Sequence, residues 1–172
     1  TYNQYYARPM INRPSIDTLE FARKGQTQHL QLRSGDLRRL TDDSIFVNDT
    51  VKAKVIGGVQ KDGKPFIEIK MHGELKLTCQ RCLELYDLQI NSHSRFIIAA
   101  DEMELVEVSL EEEGVITLLA EQERDLVDFV EEELLLALPM VPLHEEGECT
   151  IPQLSDGDTN VTSPFKGLRK AF

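Results

Sequence analysis

The sequence of 172 residues contains no tryptophan and no long hydrophobic segment. Its longest aliphatic run, Leu134–Leu138, is far shorter than the roughly 20 apolar residues that a membrane-spanning helix needs. The N-terminal residues are polar and aromatic and lack the apolar core of a secretory signal peptide. These absences argue against a membrane partner and predict a soluble protein of the reducing cytoplasm, where free thiols are the default state.

Motifs of the common enzyme classes are missing as well. The sequence has no glycine-rich phosphate loop and no Gly-x-Ser-x-Gly nucleophile motif. Its four histidines, at positions 29, 72, 93 and 144, are scattered, and His72 falls on the expected solvent face of a strand. The sequence therefore predicts no catalytic residues and no small-molecule substrate.

Basic residues are scarce in the second part of the chain. Residues 1–100 carry a net charge of +4, whereas residues 101–172 carry −15, within a total of −11. A protein this acidic is repelled by a nucleic-acid backbone, so any such contact needs a local basic surface. The asymmetry favours a partner of matching polarity, and the alternative is a well-solvated acidic face.

Strand periodicity dominates the middle of the sequence. Apolar and polar residues alternate from Val51 and again from Ile67 to Leu77, with an Asp-Gly hairpin turn between the two segments. Gly57-Gly58 indicates a bulge or bend, and the segments VEVSL (106–110) and GVITLL (114–119) are interpreted as further strands. We therefore predict an α+β fold with an antiparallel sheet, or a partly open β-barrel, over about residues 51–119.

Two helices flank this sheet in the prediction. A short N-terminal helix follows Ser15 as its N-cap, and an amphipathic helix over Leu126–Leu138 begins at Asp125 and is stopped by Pro139. The second helix is expected to pack on the sheet, with Glu131 on its wet side. Residues 1–150 are predicted to form a single domain, and residues 151–172 a flexible linker and C-terminal docking segment.

The three cysteines fit one metal site with a histidine. Cys79 and Cys82 form a Cys-x-x-Cys at a hairpin turn, and His144 and Cys149 follow the second helix. Three thiolates and one imidazole could make a tetrahedral Cys3His set, so a structural zinc site is one interpretation of these residues. Two alternatives stay open: unligated thiols, or a thiol oxidoreductase using Cys79 and Cys82, although redox pairs normally lie at a helix N-terminus.

A basic sheet face is the candidate for RNA or partner contact. If the two central strands pair with their apolar residues on the same face, four lysines share the other face. Glu68 and Glu74 interrupt these lysines, and no aromatic residues lie between them for base stacking. The alternative is a mixed, solvated face. The candidate contact residues in the folded part are Lys52, Lys54, Lys70, Lys76 and Arg81.

The C-terminal residues form a second candidate contact. Phe165, Leu168 and Phe172 share one face of a short helix, and Lys166, Arg169 and Lys170 lie among them. So short a helix is unstable alone in water. We therefore expect it to fold onto a partner, and the alternative is that it packs back on the acidic half of the chain.

Three stretches in this order resemble the YceD (DUF177) family of large ribosomal RNA subunit accumulation proteins: LTCQRCLELYD, DLVDFVEEELLLALPMVPLHEEGEC and SPFKGLRKAF. The resemblance implies a non-enzymatic, cytoplasmic factor that supports synthesis, processing or stability of 23S rRNA and assembly of the large subunit. The implied partners are the pre-50S particle, 23S rRNA and basic ribosomal proteins. Some relatives carry extra cysteines after the Ala-Leu-Pro, where this sequence has only His144 and Cys149.

Overall fold

The computed structural model describes residues 13–40, 45–47, 50–111 and 116–149. These residues form three α-helices, eight strands and a 3-10 turn at Ser34–Asp36. The elements in chain order are β1 (Ser15–Ile16), α1 (Thr18–Arg23), β2 (Thr27–Leu32), β3 (Ile45–Val47), β4 (Val51–Val59), β5 (Pro65–Thr78), β6 (Leu85–Ala99), α2 (Glu102–Glu111), β7 (Ile116–Leu119), β8 (Arg124–Asp125) and α3 (Leu126–Leu136).

The main sheet has the strand order β2-β4-β5-β6-β7, and β3 pairs with β5 beside β4. Its pairs are antiparallel except at one edge, where β7 runs parallel to β6. The edge is parallel because α2 carries the chain back across the sheet between these two strands. The predicted α+β fold with an open, mainly antiparallel sheet is confirmed.

The prediction that the segment VEVSL forms a strand is wrong, since the segment lies in α2. Its β-branched residues suggested alternation, but the residues before it begin a helix. The Asp101 carboxylate accepts hydrogen bonds from the N–H groups of Met103 and Glu104, both at 2.9 Å. This N-cap commits the segment to helix. None of the described helices is long and apolar enough to span a membrane.

The core lies between one face of the sheet and helices α1 and α3. Alternate residues of β5, including Ile67, Ile69 and Leu75, are completely buried. Helix α3 covers them, and its Phe129 ring lies 5.1 Å from that of Phe96 in β6. The predicted amphipathic helix therefore packs on the sheet through its apolar side, as expected from its periodicity.

Glu131 was predicted on the wet side of α3, and this is wrong. Its exposed fraction is 0%. One carboxylate oxygen accepts hydrogen bonds from the backbone N–H groups of Arg39 at 2.5 Å and Leu40 at 3.1 Å. A buried carboxyl group is tolerated where it satisfies backbone groups that would otherwise lack partners. Glu131 thus anchors the segment that follows β2 to α3.

Gly57 and Gly58 do not form the expected bulge. They continue the regular β4–β5 register, opposite Ile67 and Phe66. Gly57 is needed because α1 crosses β4 there: a Cβ at this position would lie 2.4 Å from the carbonyl oxygen of Phe21. The absent side chain therefore sets the close approach of helix and strand.

The N-cap of α1 is Asp17 rather than the predicted Ser15. The Asp17 carboxylate accepts a hydrogen bond from the Glu20 N–H at 2.8 Å, whereas Ser15 lies in β1 and pairs with Asp125 of β8. An aspartate directly before the first helical residue accepts this bond better than a serine two residues earlier could. The short β1–β8 pair ties the chain before α1 to the start of α3.

Asp125 stabilises that junction, and its substitution by alanine is expected to be costly. Its carboxylate accepts from the N–H groups of Val127 and Asp128 and from Arg13 Nε at 2.6 Å. Burial opposes its ionisation, but the Arg13 guanidinium and these N–H groups hold the pKa of Asp125 below its usual value. We expect Asp125→Ala to lower the free energy of unfolding by about 1–2 kcal/mol at neutral pH.

The sign of the pH dependence follows from the lowered pKa. The stabilisation is complete above the unfolded pKa of about 3.9 and is lost as the pH falls through the folded pKa. Urea unfolding of the Asp125→Ala variant and the parent should therefore differ at pH 7 and converge in acid. An equal difference at both pH values would contradict an ionic origin.

Candidate metal centre

The first half of the candidate metal centre is the loop between β5 and β6. Cys79 begins the loop, and its backbone is fixed by Cys79 N–H donating to Glu84 O and Leu83 N–H donating to Cys79 O, both at 2.9 Å. Leu83 takes a φ of 64°, a left-handed conformation rare for this residue type. The Arg81 N–H points to the Cys79 sulfur at 3.4 Å. The turn thus directs backbone N–H groups toward the Cys79 sulfur, which favours its thiolate form.

The second half is the segment that follows α3. Helix α3 ends at Leu136 before Pro139, and the chain then returns to the hairpin loop, where Gln80 N–H donates to Pro142 O at 2.9 Å. The His144 ring lies against that of Tyr86, with 5.1 Å between their centres. This return brings His144 and Cys149 to the Cys-x-x-Cys.

All four side chains converge on one point. The ligand atoms of Cys79, Cys82, His144 and Cys149 lie within 4.8 Å of one another. The Cys79–Cys149 Sγ–Sγ distance is 3.6 Å, and His144 Nδ1 lies 3.3 Å from Cys82 Sγ and 3.6 Å from Cys149 Sγ. Tetrahedral zinc would place sulfurs about 3.8 Å apart, with sulfur and nitrogen about 3.6 Å apart.

The chemistry of the donor set also fits a metal. The three cysteines are free thiols, and 3.6 Å between sulfurs is far longer than the roughly 2 Å of a disulfide. A cluster of three thiolates and one imidazole of this shape could hold a metal ion of the zinc type. We call this cluster of Cys79, Cys82, His144 and Cys149 the clasp.

The surroundings of Cys79 favour its thiolate form. Burial opposes its ionisation, but N–H groups of Cys82, His144 and Arg81 together lower the pKa of Cys79 to about 5. At Cys82 the Glu84 N–H favours the thiolate, yet burial and the neighbouring Cys79 and Cys149 raise the pKa. A metal ion would favour ionisation of both sulfurs, since the thiolate is the ligand form.

Arg81, which the sequence suggested for RNA contact, lies in the clasp. Its Nε donates to Cys149 Sγ at 2.9 Å, and its Nη2 donates to the carbonyl oxygens of His144 and Glu145 at 3.5 and 3.4 Å. The neighbouring sulfurs raise the pKa of its guanidinium. Arg81 thus holds the second half of the clasp in place and offsets thiolate charge. Sequence spacing had located the four candidate ligands, but not these contacts of Arg81.

The predicted lysines lie on the sheet face opposite the core. The register places Lys54 directly opposite Lys70, and Lys52 opposite His72. Lys76 lies farther along β5, where it forms an ion pair with Asp87 at 3.2 Å. Lys52, Lys54 and Lys70 are therefore brought together, and Lys76 is separate from them.

Histidines that seemed scattered in the sequence meet these lysines. His29 lies opposite Lys54, and His93 lies opposite Lys70. Together with His72, they line a groove of about 600 Å³ on this face. The sequence could have revealed this grouping only if the register of all four paired strands, β2, β4, β5 and β6, had been known. The candidate contacts Phe165, Lys166, Leu168, Arg169 and Lys170 lie outside the described residues.

Comparison with known proteins identifies the family. A family model described as "Large ribosomal RNA subunit accumulation protein YceD" matches residues 67–168. No curated protein and no solved structure was matched. The matched range holds more than half of the chain, most of β5, all of β6, and all four residues of the clasp. The chain therefore belongs to the YceD family of large ribosomal RNA subunit accumulation proteins.

Proposed function

We propose that this protein is a non-enzymatic, cytoplasmic factor that supports synthesis, processing or stability of 23S rRNA and assembly of the large ribosomal subunit. It acts by binding RNA or ribosomal proteins in the pre-50S particle. The observation that carries this proposal is the family match, whose printed description names large ribosomal RNA accumulation. The described fold supports binding, because the groove of about 600 Å³ on its sheet face is open rather than an enclosed cavity.

The clasp has a structural role in this proposal. Cys79, Cys82, His144 and Cys149 would hold one zinc ion, which joins the β5–β6 hairpin to the segment after α3. With all four positions supplied by the protein, the ion has no open site for substrate or water. Closed sites of this kind contribute folding free energy rather than catalysis.

A thiol oxidoreductase is the second candidate, and the lowered pKa of Cys79 is the observation in its favour. However, Cys79 is completely buried, and its loop joins two strands rather than beginning a helix. Elemental analysis of chain purified without chelator separates the two functions. About one zinc per chain favours the structural clasp, whereas metal-free protein with a reversible Cys79–Cys82 disulfide favours the oxidoreductase.

Co-sedimentation tests the proposed function. Tagged full-length chain should migrate with pre-50S particles in a sucrose gradient, and cells depleted of it should accumulate less mature 23S rRNA. A chain that stays at the top of the gradient, with normal 23S rRNA after depletion, would overturn the proposal.

The C-terminal segment is proposed as a docking element, with residues 151–162 as its linker. Deletion of residues 163–172 should leave the thermal midpoint nearly unchanged and weaken association with pre-50S particles, because its apolar and basic residues suit a ribonucleoprotein surface. Calorimetry and gradient sedimentation of the deleted chain provide the two measurements. A midpoint lower by many degrees with intact association would show instead that the segment packs on its own domain.

A further inference from the structure

Cations and imidazoles form two rows across four neighbouring strands of the open sheet face. The register fixes both rows, from β2 through β4 and β5 to β6. At a strand spacing of about 4.8 Å, each row spans about 14 Å. The first row is His29, Lys54, Lys70 and His93, and the second is Gln31, Lys52, His72 and Asn91.

Among the residues that the structure describes, no carboxylate lines the groove that these rows form. Lys54 and Lys70 lie directly opposite each other, and this pair of like charges destabilises the pairing of β4 with β5. Glu68, at the edge of the groove, compensates Lys70 at 3.4 Å and also contacts His93. Within the described part of the chain, no acidic side chain lies within 4.0 Å of the ammonium groups of Lys52 or Lys54. The groove is thus a concentrated positive surface in a protein of net charge −11.

We propose that this groove binds the phosphate backbone of single-stranded RNA. The inference rests on the proposed function and adds to it the partner class and the surface. Charge complementarity argues for the occupant, because uncompensated lysines on a concave face attract a polyanion most strongly where no carboxylate opposes it. Imidazole, amide and ammonium groups in the same rows donate hydrogen bonds to phosphate oxygens.

The groove recognises backbone rather than base. Base stacking needs exposed aromatic rings, and no phenylalanine or tyrosine of the described ranges lines the groove. Phe66 lies on the same face of β5, but the Arg95 guanidinium covers its ring at 4.6 Å from the centre. Binding should therefore depend strongly on salt and little on sequence. Three lysines predict a slope of about −2 for log affinity against log salt, since each phosphate neutralised on a single strand contributes about 0.7.

The test is fluorescence anisotropy of the full chain with an oligouridine of about twenty nucleotides. The double variant Lys52→Gln/Lys54→Gln should lose affinity on the order of tenfold, and its salt slope should become shallower by about 1.4. The matched control is Lys61→Gln/Lys64→Gln, which removes the same charge at the β4–β5 turn, about 20 Å along the strand from Lys70. The control should keep the affinity of the parent.

Folding is monitored in the same samples. The thermal midpoint of the groove variant should equal or exceed that of the parent, because one of two opposed like charges is removed. Unchanged oligouridine affinity in the groove variant, or an equal loss in the control, would overturn the groove as the RNA site.

Two further outcomes separate this inference from the proposed function. A parent chain that sediments with pre-50S particles but binds no oligouridine has a protein partner, which overturns the groove inference and leaves the function intact. A chain that binds oligouridine through the groove, does not sediment with the particles and leaves 23S rRNA normal after its depletion supports the RNA site and overturns the proposed function.

Discussion

Cys149→Ser is expected to abolish zinc binding and to lower the thermal midpoint of the protein by about 8–16 °C. A metal present at a thousandfold above its Kd stabilises the folded state by about 4.1 kcal/mol, and 1 kcal/mol corresponds to about 2–4 °C in a domain of this size. The Cys149 sulfur lies 3.6 Å from both Cys79 Sγ and His144 Nδ1, so serine removes one candidate ligand with only a small change in side-chain size. Calorimetry and elemental analysis measure the two effects.

Chelation supplies the control for this prediction. A strong chelator should bring the midpoint of the parent down to that of Cys149→Ser and leave the variant unchanged, since the metal is then absent from both. His144→Ala should behave like Cys149→Ser, whereas His29→Ala, on the open sheet face, should retain the zinc. A variant that unfolds earlier than the parent even in chelator would show that Cys149 stabilises the fold independently of metal.

Gly57→Ala is expected to destabilise the fold by about 3 kcal/mol, or about 6–12 °C. The new methyl group would lie 2.4 Å from Phe21 O and 2.9 Å from Ala22 Cα, which are backbone atoms of α1 that cannot move aside alone. Relief requires α1 to lift from β4 and to expose Phe21 and Ala22, which are almost fully buried. Urea unfolding measures the loss as a lower midpoint concentration.

Gly35→Ala is the matched control for Gly57→Ala. A Cβ at Gly35 meets nothing within 4 Å, and its φ lies outside the left-handed region. Because alanine also restricts the unfolded chain, this variant should be stabilised by up to about 1 kcal/mol. Opposite signs for one substitution at two glycines would locate the constraint in the helix–strand contact. Equal effects would contradict it.

Local pattern predicted most of the sheet and α3, since β4 and most of β5 alternate between buried and more exposed residues and Asp125 is a strong helix start. The pattern failed where a residue's role depends on a distant segment. Gly57 was predicted to lie in a bulge because the helix that requires a glycine there, α1, is remote in sequence. Glu131 looked solvent-exposed because its partners, Arg39 and Leu40, follow a different strand. Such roles arise from tertiary contacts, which periodicity does not contain.

The candidate site divides in the same way. Ligand chemistry identified the clasp residues, because three cysteines and one histidine can form a single set. Only part of the groove could be predicted from the sequence. The lysines follow from alternation along β4 and β5, but His29 and His93 join them through the pairing of β2 and β6. Arginine is a common residue type at RNA contacts, which is why Arg81 was predicted to be one. Its contacts in the clasp could not be predicted, because they depend on where the chain returns after α3.

The clasp joins residues made at different times during synthesis. Cys82 precedes His144 by 62 residues, and Cys79 precedes Cys149 by 70. At roughly 5–20 residues per second, the two sulfurs of the hairpin leave the ribosome several seconds before their partners. The hairpin brings its strands together locally, so an unfinished chain presents only two sulfur donors, too few for a closed tetrahedral site. We expect a chain truncated after residue 138 to retain no zinc in elemental analysis, so that tight metal binding distinguishes the completed domain from its nascent form.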